Sequence, residues 1–146
     1  MREILFICTG NYYRSRYSEA LFNHEAARRG LEWRAFSRGL AIYLAPPGGL
    51  SPHTFHRLQE RRIPRTTTGP DPVQVREEDF SRATRVVALK GTEHRPLMAR
   101  LHPCWEDRIE YWEISDLDAA TPKVALDAIE AHVLALISEL EQGEGK

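Results

Sequence analysis

The chain has 146 residues, with 20 Lys and Arg against 21 Asp and Glu and a net charge of −1. This length suits a single domain over residues 1–146, and the balanced charge argues against a generic binder of nucleic acid or membrane. Two cysteines are too few for a disulfide framework and indicate reduced thiols in a cytoplasmic protein. The N-terminal apolar run from Ile4 to Ile7 is too short for a signal peptide or a transmembrane helix.

Strands and helices are predicted to alternate along the chain. The predicted strands are residues 4–9, 32–37, 85–90 and 108–114, and the predicted helices are residues 15–30, 51–63, 92–101 and 121–142. Ser51 and Thr121 are each followed by proline, which is typical of a helix N-cap and first position. The alternation predicts an open α/β sheet of parallel strands with helices on both faces.

The segment CTGNYYRS, residues 8–15, lies between the first strand and the first helix. In an α/β sheet, ligands bind at the carboxyl ends of the strands, where a helix N-terminus and loop N–H groups attract phosphate. Gly10 allows a tight turn, and Arg14 can grip two phosphate oxygens at once. The same positive field favours the thiolate form of Cys8, which would be a nucleophile aimed at phosphorus.

Cys8 also has a purely structural interpretation, because cysteine is often buried at strand ends as a packing residue. A cysteine six residues before an arginine is a weak signal by itself. The apolar strand before it, the helix after it and the polar residues within the loop favour catalysis. Ser15 could donate its hydroxyl to the thiolate, and Asn11 could hold the shape of the loop.

The stretch ILFICTGNYYRSRYSEALF, residues 4–22, resembles the N-terminus of the low-molecular-weight protein tyrosine phosphatases, a family shared with one class of arsenate reductases. The family pattern there is V-L-F-V-C-x-G-N-x-C-R-S-P-x-A-E. The likeness extends thinly through FSRGL, EEDFSRATRVVALK and WEISDLD to nearly the whole chain. It implies a three-layer, flavodoxin-like domain with a four-stranded parallel sheet.

The resemblance also implies a two-step, metal-independent hydrolysis of phosphotyrosine or another aryl phosphate, with no cofactor. Cys8 would attack phosphorus, while Arg14 and the loop amides would bind the phosphoryl oxygens. Asp116 would be the general acid, with Asp118 as the competing choice. The partners would be a phosphotyrosine protein or a small aryl phosphate, with inorganic phosphate as product and neither nucleic acid nor membrane involved.

Several positions depart from the family pattern. The proline and tyrosine of the acid loop are Leu117 and Asp118, which puts full activity in doubt. Tyr13 replaces the second loop cysteine, and Arg16 replaces a proline, where we expect it to add a cation near the pocket mouth. The family's histidine before the third strand is absent.

The loop and its surroundings supply the predicted contacts to substrate. The residues predicted to bind phosphate or substrate are Thr9, Gly10, Asn11, Tyr12, Tyr13, Ser15 and Tyr43. The tyrosines could form a wall that favours phosphotyrosine, although Tyr12 and Tyr13 could equally pack inward. His53 and His56 stand at positions i and i+3 of a predicted helix, so they are a weak candidate for a pair of metal ligands.

Two other functions remain open. Arsenate would fit the same loop, but thioredoxin-linked arsenate reduction needs two further cysteines near the third strand, and SRATRVVALKG contains none. The altered acid loop instead favours a phosphate- or phosphoprotein-binding module with weakened catalysis.

Overall fold

The computed structural model describes residues 1–116 and 120–144. The described strands are β1 (Arg2–Cys8), β2 (Trp33–Gly39), β3 (Arg85–Ala88) and β4 (Glu110–Tyr111). The described helices are α1 (Arg14–Arg28), α2 (Pro52–Glu60), α3 (Glu77–Arg82), α4 (Gly91–Leu101) and α5 (Pro122–Glu144). Short 3-10 turns cover Ile42–Leu44, Arg65–Thr67 and Pro103–Trp105.

The strands form one parallel sheet in the order β2-β1-β3-β4. The order reverses beside β1, because β2 lies on one side of it and β3 on the other. In sheets of this kind the loops on either side of the reversal diverge and leave a crevice at the carboxyl ends of the strands. The predicted flavodoxin-like architecture is confirmed, and it places the loop after Cys8 at this crevice.

Helices cover both faces of the sheet, as the alternation of buried residues along β1 requires. Ile4, Phe6 and Cys8 belong to the core beneath α1 and α5, whereas Leu5 and Ile7 belong to the core beneath α3 and α4. Because side chains along a strand alternate between faces, a continuous apolar run is what a sheet buried on both sides needs. The three layers predicted from the sequence are therefore confirmed.

Local sequence signals explain most helix boundaries. The Ser51 side chain accepts a hydrogen bond from the N–H of His53 at 3.2 Å, which caps α2 as predicted. Gly30 follows α1 with a φ of +66°, the left-handed conformation that glycine tolerates after a helix. Helix α3 was not predicted, because six residues are too few to show helical periodicity.

The fourth strand is shorter than predicted. Regular pairing with β3 covers only Glu110–Tyr111, although a further bridge joins Lys90 to Glu113. Among the residues described, no helix combines the length and the apolar character that crossing a membrane would require.

Candidate active site

A cavity of about 600 Å³ opens at the carboxyl edge of the sheet. Its lining comes from the loop after β1, the turn after β2, the start of α2, the start of α4 and the segment after β4. The lining residues are Cys8, Thr9, Gly10, Tyr12, Tyr13, Arg14, Leu44, Ala45, Pro46, Ser51, Lys90, Thr92, Glu93 and Asp116. Parallel strands bring these segments together because all of them end at the same edge.

Cys8 is the last residue of β1, and it contacts the first turn of α1. Its Sγ lies 2.9 Å from Ser15 Oγ, a hydrogen bond in which the hydroxyl can donate to a thiolate. Ser15 Oγ accepts a second bond from Asn11 Nδ2 at 2.9 Å. A serine hydroxyl has one proton and two acceptor positions, so Ser15 can accept from Asn11 and also donate to the sulfur. The contact brings Ser15 within hydrogen-bond distance of Cys8, and its role toward a thiolate stays a prediction.

Asn11 holds the centre of the loop through both ends of its amide. Nδ2 also donates to Ser37 Oγ at 3.0 Å, and Oδ1 accepts the N–H of Val73 at 2.9 Å. Its φ of +51° lies in the left-handed region, where asparagine is one of the better-tolerated side chains. The expectation that Asn11 shapes the loop thus has a geometric basis.

Glycine at position 39 lets the end of β2 approach this loop closely. A Cβ there would lie 2.6 Å from Ile42 Cγ2, 2.9 Å from the Thr9 carbonyl oxygen and 3.0 Å from the Asn11 nitrogen. Since two of these neighbours are backbone atoms, a larger residue would displace the loop itself.

Arg14 begins α1 and is almost completely buried. Its Nη1 donates to the carbonyl of Ile114 at 2.9 Å, and its Nη2 donates to Glu93 Oε2 at 2.7 Å. Asp116 Oδ2 lies 3.5 Å from the same Nη2. Burial tends to lower the pKa of Arg14, but Glu93 together with Cys8 and Asp116 raises it overall, so the guanidinium remains a cation.

Glu93 is a functional candidate that the sequence analysis missed. Its Oε2 accepts from Thr9 Oγ1 at 2.5 Å and from Arg14, and it lies 3.1 Å from His94 Nε2. Burial tends to raise the pKa of Glu93, but contacts with His94, Arg14 and Thr9 outweigh burial and hold it well below its usual range. The cavity therefore contains a permanent carboxylate beside the arginine.

The tautomer of His94 follows from its other nitrogen. The Lys90 N–H donates to His94 Nδ1 at 3.0 Å, which places the ring proton of a neutral histidine on Nε2, facing Glu93. Burial lowers the pKa of His94, so the ring is neutral at pH 7. A glutamate after a predicted strand is common, and only the packing of α4 reveals this one.

The segment after β4 carries the predicted acid. Asp116 lines the cavity, and its side chain is 46% exposed. Lys90 Nζ donates to Ser115 Oγ at 2.9 Å, so a second cation that the sequence analysis missed holds the residue next to the acid. The alternative acid, Asp118, and its neighbour Leu117 lie outside the described residues.

Comparison with known proteins agrees with this geometry. The family model for low molecular weight phosphotyrosine protein phosphatase matches residues 3–143. The chain belongs to this family. The family prediction is therefore confirmed, and membership of this family supports phosphatase activity without specifying the substrate.

Individual relatives differ in the substrates that their names give. A protein-arginine-phosphatase of Bacillus subtilis (strain 168) is 31% identical over 107 residues, which are 73% of this chain and 67% of the relative. A mutant of YwlE from Bacillus subtilis superposes with a TM-score of 0.79 at 24% identity, covering 97% of this chain and 99% of the other. A low molecular weight protein tyrosine phosphatase from T. tengcongensis superposes with a TM-score of 0.78 at 23% identity, covering 95% and 99%. Likenesses at these structural identities establish the fold alone.

The three tyrosines singled out in the sequence have different positions in this family member. Tyr12 is half-buried and lines the cavity. Tyr13 also contributes to the lining but packs into the core, where burial and the nearby Asp116 raise its pKa to about 12. Tyr43 is 80% exposed and lies outside the lining, which its neighbours Leu44 and Ala45 supply instead. The predicted contact of Tyr43 with substrate stays a prediction, and it would have to be made at the outer edge of the cavity.

The structure also describes Arg16 and the two histidines that the sequence singled out. Arg16 is wholly buried and absent from the cavity lining, so the expectation of an extra cation at the mouth is wrong. Its methylenes and guanidinium turn inward because backbone carbonyls there accept its N–H groups. His53 and His56 are both exposed on α2, and the described residues contain no group of three or more potential metal ligands.

Proposed function

We propose that this phosphatase hydrolyses phosphotyrosine, or another aryl phosphate, through a cysteinyl-phosphate intermediate formed on Cys8. The observation that carries the proposal is the 2.9 Å contact between Cys8 Sγ and Ser15 Oγ within a cavity that Arg14 also lines. A serine hydroxyl stabilises a thiolate, and an arginine fork binds the phosphoryl oxygens that the thiolate attacks. A cytoplasmic location stays a prediction.

The reaction proceeds in two balanced steps. In the first, Cys8 Sγ forms a bond to phosphorus while the bond from phosphorus to the aryl oxygen breaks, and Asp116 gives its proton to that oxygen. In the second, Asp116 takes a proton from water, the water oxygen bonds to phosphorus, and the phosphorus–sulfur bond breaks to release inorganic phosphate. Arg14 and the N–H groups of the loop stabilise the charge on the equatorial oxygens in both steps.

The rim of the cavity supports an aryl substrate. Tyr12, Leu44 and Pro46 give it apolar walls beside the polar floor formed by Cys8 and Arg14. A phenyl ring that carries the phosphoryl group would pack against these walls, whereas phosphoserine has no ring to make this contact. Aromatic contact of this kind adds to binding beyond the buried area.

Phosphoarginine is a second candidate, which a different feature of the cavity favours. Glu93 and Asp116 place two carboxylates beside the phosphate site. A phosphorylated guanidinium carries positive charge next to its phosphoryl group, and such carboxylates would attract it while repelling a simple dianion. One relative, 31% identical to this chain, is named as a protein-arginine-phosphatase.

The test compares two peptides that differ only in the phosphorylated residue. We would measure kcat/KM for a phosphotyrosine peptide and for its phosphoarginine counterpart, with EDTA present, for the native chain and for Cys8→Ser. Higher kcat/KM for phosphotyrosine, abolished in Cys8→Ser, is the expected result. A preference for phosphoarginine would replace the substrate while keeping the mechanism. Phosphate binding without turnover of either peptide would favour the weakened binding module.

A further inference from the structure

A buried arginine lies directly behind the phosphate-binding loop. Arg16 is fully buried in the first turn of α1 and takes no part in the cavity lining. Its Nε donates to Thr68 Oγ1 at 2.7 Å, and its Nη1 donates to the carbonyls of Gly49 at 2.8 Å and Asn11 at 3.4 Å. Its Nη2 donates to the carbonyl of Gly69. One guanidinium therefore joins the loop to two turns that are distant in sequence.

The hydroxyl of Thr68 connects this arginine to a buried carboxylate. Thr68 Oγ1 donates to Glu19 Oε1 at 2.5 Å. Glu19 Oε1 also accepts from Ser37 Oγ at 2.7 Å. Burial lowers the pKa of Arg16 and raises that of Glu19, and in each case the charge of the other residue opposes the shift. Thr68 thus links the two buried side chains through hydrogen bonds, an arrangement that is costly to break from one side.

The bond to the Asn11 carbonyl fixes the direction of the next N–H group. The described peptides are trans, and in a trans peptide the carbonyl and the following N–H point in opposite directions. The bond from Arg16 Nη1 to the Asn11 carbonyl therefore turns the Tyr12 N–H away from Arg16, and Tyr12 lines the cavity. The positive φ of Asn11 is part of the same turn.

We propose that Arg16 is a positioning residue, which holds the loop of residues 8–15 in its anion-binding shape by tying the Asn11 carbonyl to the turns at Gly49 and Gly69. The proposal rests on the proposed function, because it assigns a task within the same phosphate site. Arg16 touches neither the cavity nor the reacting atoms, so its effect passes through the loop amides. Substitution of Arg16 should weaken the binding of a phosphoryl anion more than it slows the chemical step.

The test measures phosphate affinity separately from turnover. Binding of inorganic phosphate and of orthovanadate would be measured by calorimetry for the native chain, Arg16→Met, Arg16→Lys and Arg65→Met. Arg65 is the matched control, because it donates to the carbonyls of Gly69 and Pro70 and has no bond to Asn11 or Gly49. Thermal unfolding of each variant reports whether it folds.

Arg16→Met is expected to bind both anions about 10- to 100-fold more weakly, with KM for an aryl phosphate rising more than kcat falls. Arg16→Lys keeps the charge but loses the planar fork, so we expect partial rescue, with affinity about 3- to 10-fold below native. Arg65→Met should stay within twofold of native. If Arg16→Met does not fold, Arg16→Lys decides the question.

The positioning role would be overturned if folded Arg16→Met bound both anions within twofold of native, or if Arg65→Met lost as much affinity. If Arg16→Met does not fold, native affinity in Arg16→Lys would overturn it. The two proposals fail separately. A native chain that binds phosphate but hydrolyses nothing would end the proposed function, while the variants would still test Arg16. A native chain that hydrolyses aryl phosphate, with variants of native affinity, would end the role of Arg16 alone.

Discussion

Glu93 Oε2 lies 2.7 Å from Arg14 Nη2, so a carboxylate binds the guanidinium that is proposed to bind phosphate. Two unit charges 4 Å apart interact by about 4 kcal/mol at an effective dielectric constant of 20, so the carboxylate and a phosphoryl dianion compete for this cation. Glu93→Gln keeps an acceptor oxygen while removing the charge. We expect it to bind inorganic phosphate about 3- to 10-fold more tightly, as calorimetry would show.

Glu113→Gln is the matched control for this substitution. Glu113 is an exposed carboxylate near the same edge of the sheet, and it does not line the cavity. Its substitution should leave phosphate affinity within twofold of native. Weaker phosphate binding in Glu93→Gln would show instead that the carboxylate is needed to orient Arg14, and the competition between anions would be refuted.

The ionisation of Glu93 also predicts how stability depends on pH. Its folded pKa is held well below 4.5, so the native state keeps this carboxylate charged more readily than the unfolded chain does. The resulting stabilisation is fully present above about pH 5 and is lost as pH falls through 4.5 toward the folded pKa. Between pH 5 and 3, the free energy of unfolding should fall less steeply in Glu93→Gln than in the native chain. The two slopes should differ by at most about 1.4 kcal/mol per pH unit.

Glu19 provides a control of opposite sign for that measurement. Burial raises its folded pKa, so its contribution to stability is present below the unfolded pKa and declines as pH rises through the folded one. In the native chain, the ionisation of Glu19 should lower the free energy of unfolding as pH rises above 4.5. This decline should be absent in Glu19→Gln. Chemical denaturation at a series of pH values would measure both slopes, and identical slopes in native and Glu93→Gln would refute the assignment.

The proposed acid predicts a dependence on the leaving group. Asp116→Asn should lower kcat/KM, which reports the first step, for phenyl phosphate by about 100-fold, because a poor leaving group needs a proton in the transition state. The loss should be much smaller for dinitrophenyl phosphate, which leaves without protonation. Steady-state kinetics on both substrates would show the difference. Asp118→Asn is the comparison, and a stronger leaving-group effect there would transfer the role to Asp118.

Substitution of Asn11 should destabilise the chain mainly through the loss of its side-chain hydrogen bonds, rather than through its backbone conformation. Asn11→Ala removes three hydrogen bonds and should destabilise the chain by about 2–4 kcal/mol at roughly 1 kcal/mol for each bond. Asn11→Gly restores a comfortable positive φ but not the bonds, so most of the loss should remain.

Arg62 offers a comparison for the backbone effect alone. It has a φ of +56° after α2 and an exposed side chain, so Arg62→Gly should stabilise the chain by about 0.5–1 kcal/mol. Urea denaturation would measure all three variants. Full recovery of stability in Asn11→Gly would mean that backbone strain, rather than the side-chain bonds, dominates at Asn11.

The sequence predicted the parts of the site that belong to one continuous segment. The loop from Cys8 to Ser15 is short, follows an apolar strand and precedes a helix, so its place at the sheet edge follows from strand polarity alone. The contacts of Ser15 with Cys8 and of Asn11 with Ser15 are also local, because all three residues belong to this loop or to the first turn after it. Helix α2 began at its predicted cap, Ser51, for the same reason.

Residues that act across the fold were missed or misplaced. Glu93 is 79 residues from Arg14, and no local pattern distinguishes it from a surface glutamate at the start of a helix. Arg16 looked like a surface cation because most arginines are exposed, and its acceptors are carbonyls that no side-chain sequence encodes. Tyr43 fell beside the right turn, but the conformation of that turn gave the cavity Leu44 and Ala45 instead.

The sequence by itself determined the α/β alternation, the family and the position of the loop that is proposed to bind phosphate, since each depends on periodicity or on contiguous residues. The tertiary structure decided which charges meet: Glu93 on Arg14, Lys90 on Ser115, and Arg16 behind Asn11. The physical reason is that these pairs depend on distances between separate segments, and those distances exist only once the strands have paired in register. These charged side chains therefore meet their partners only in the folded chain, and the electrostatics of the cavity depends on those contacts.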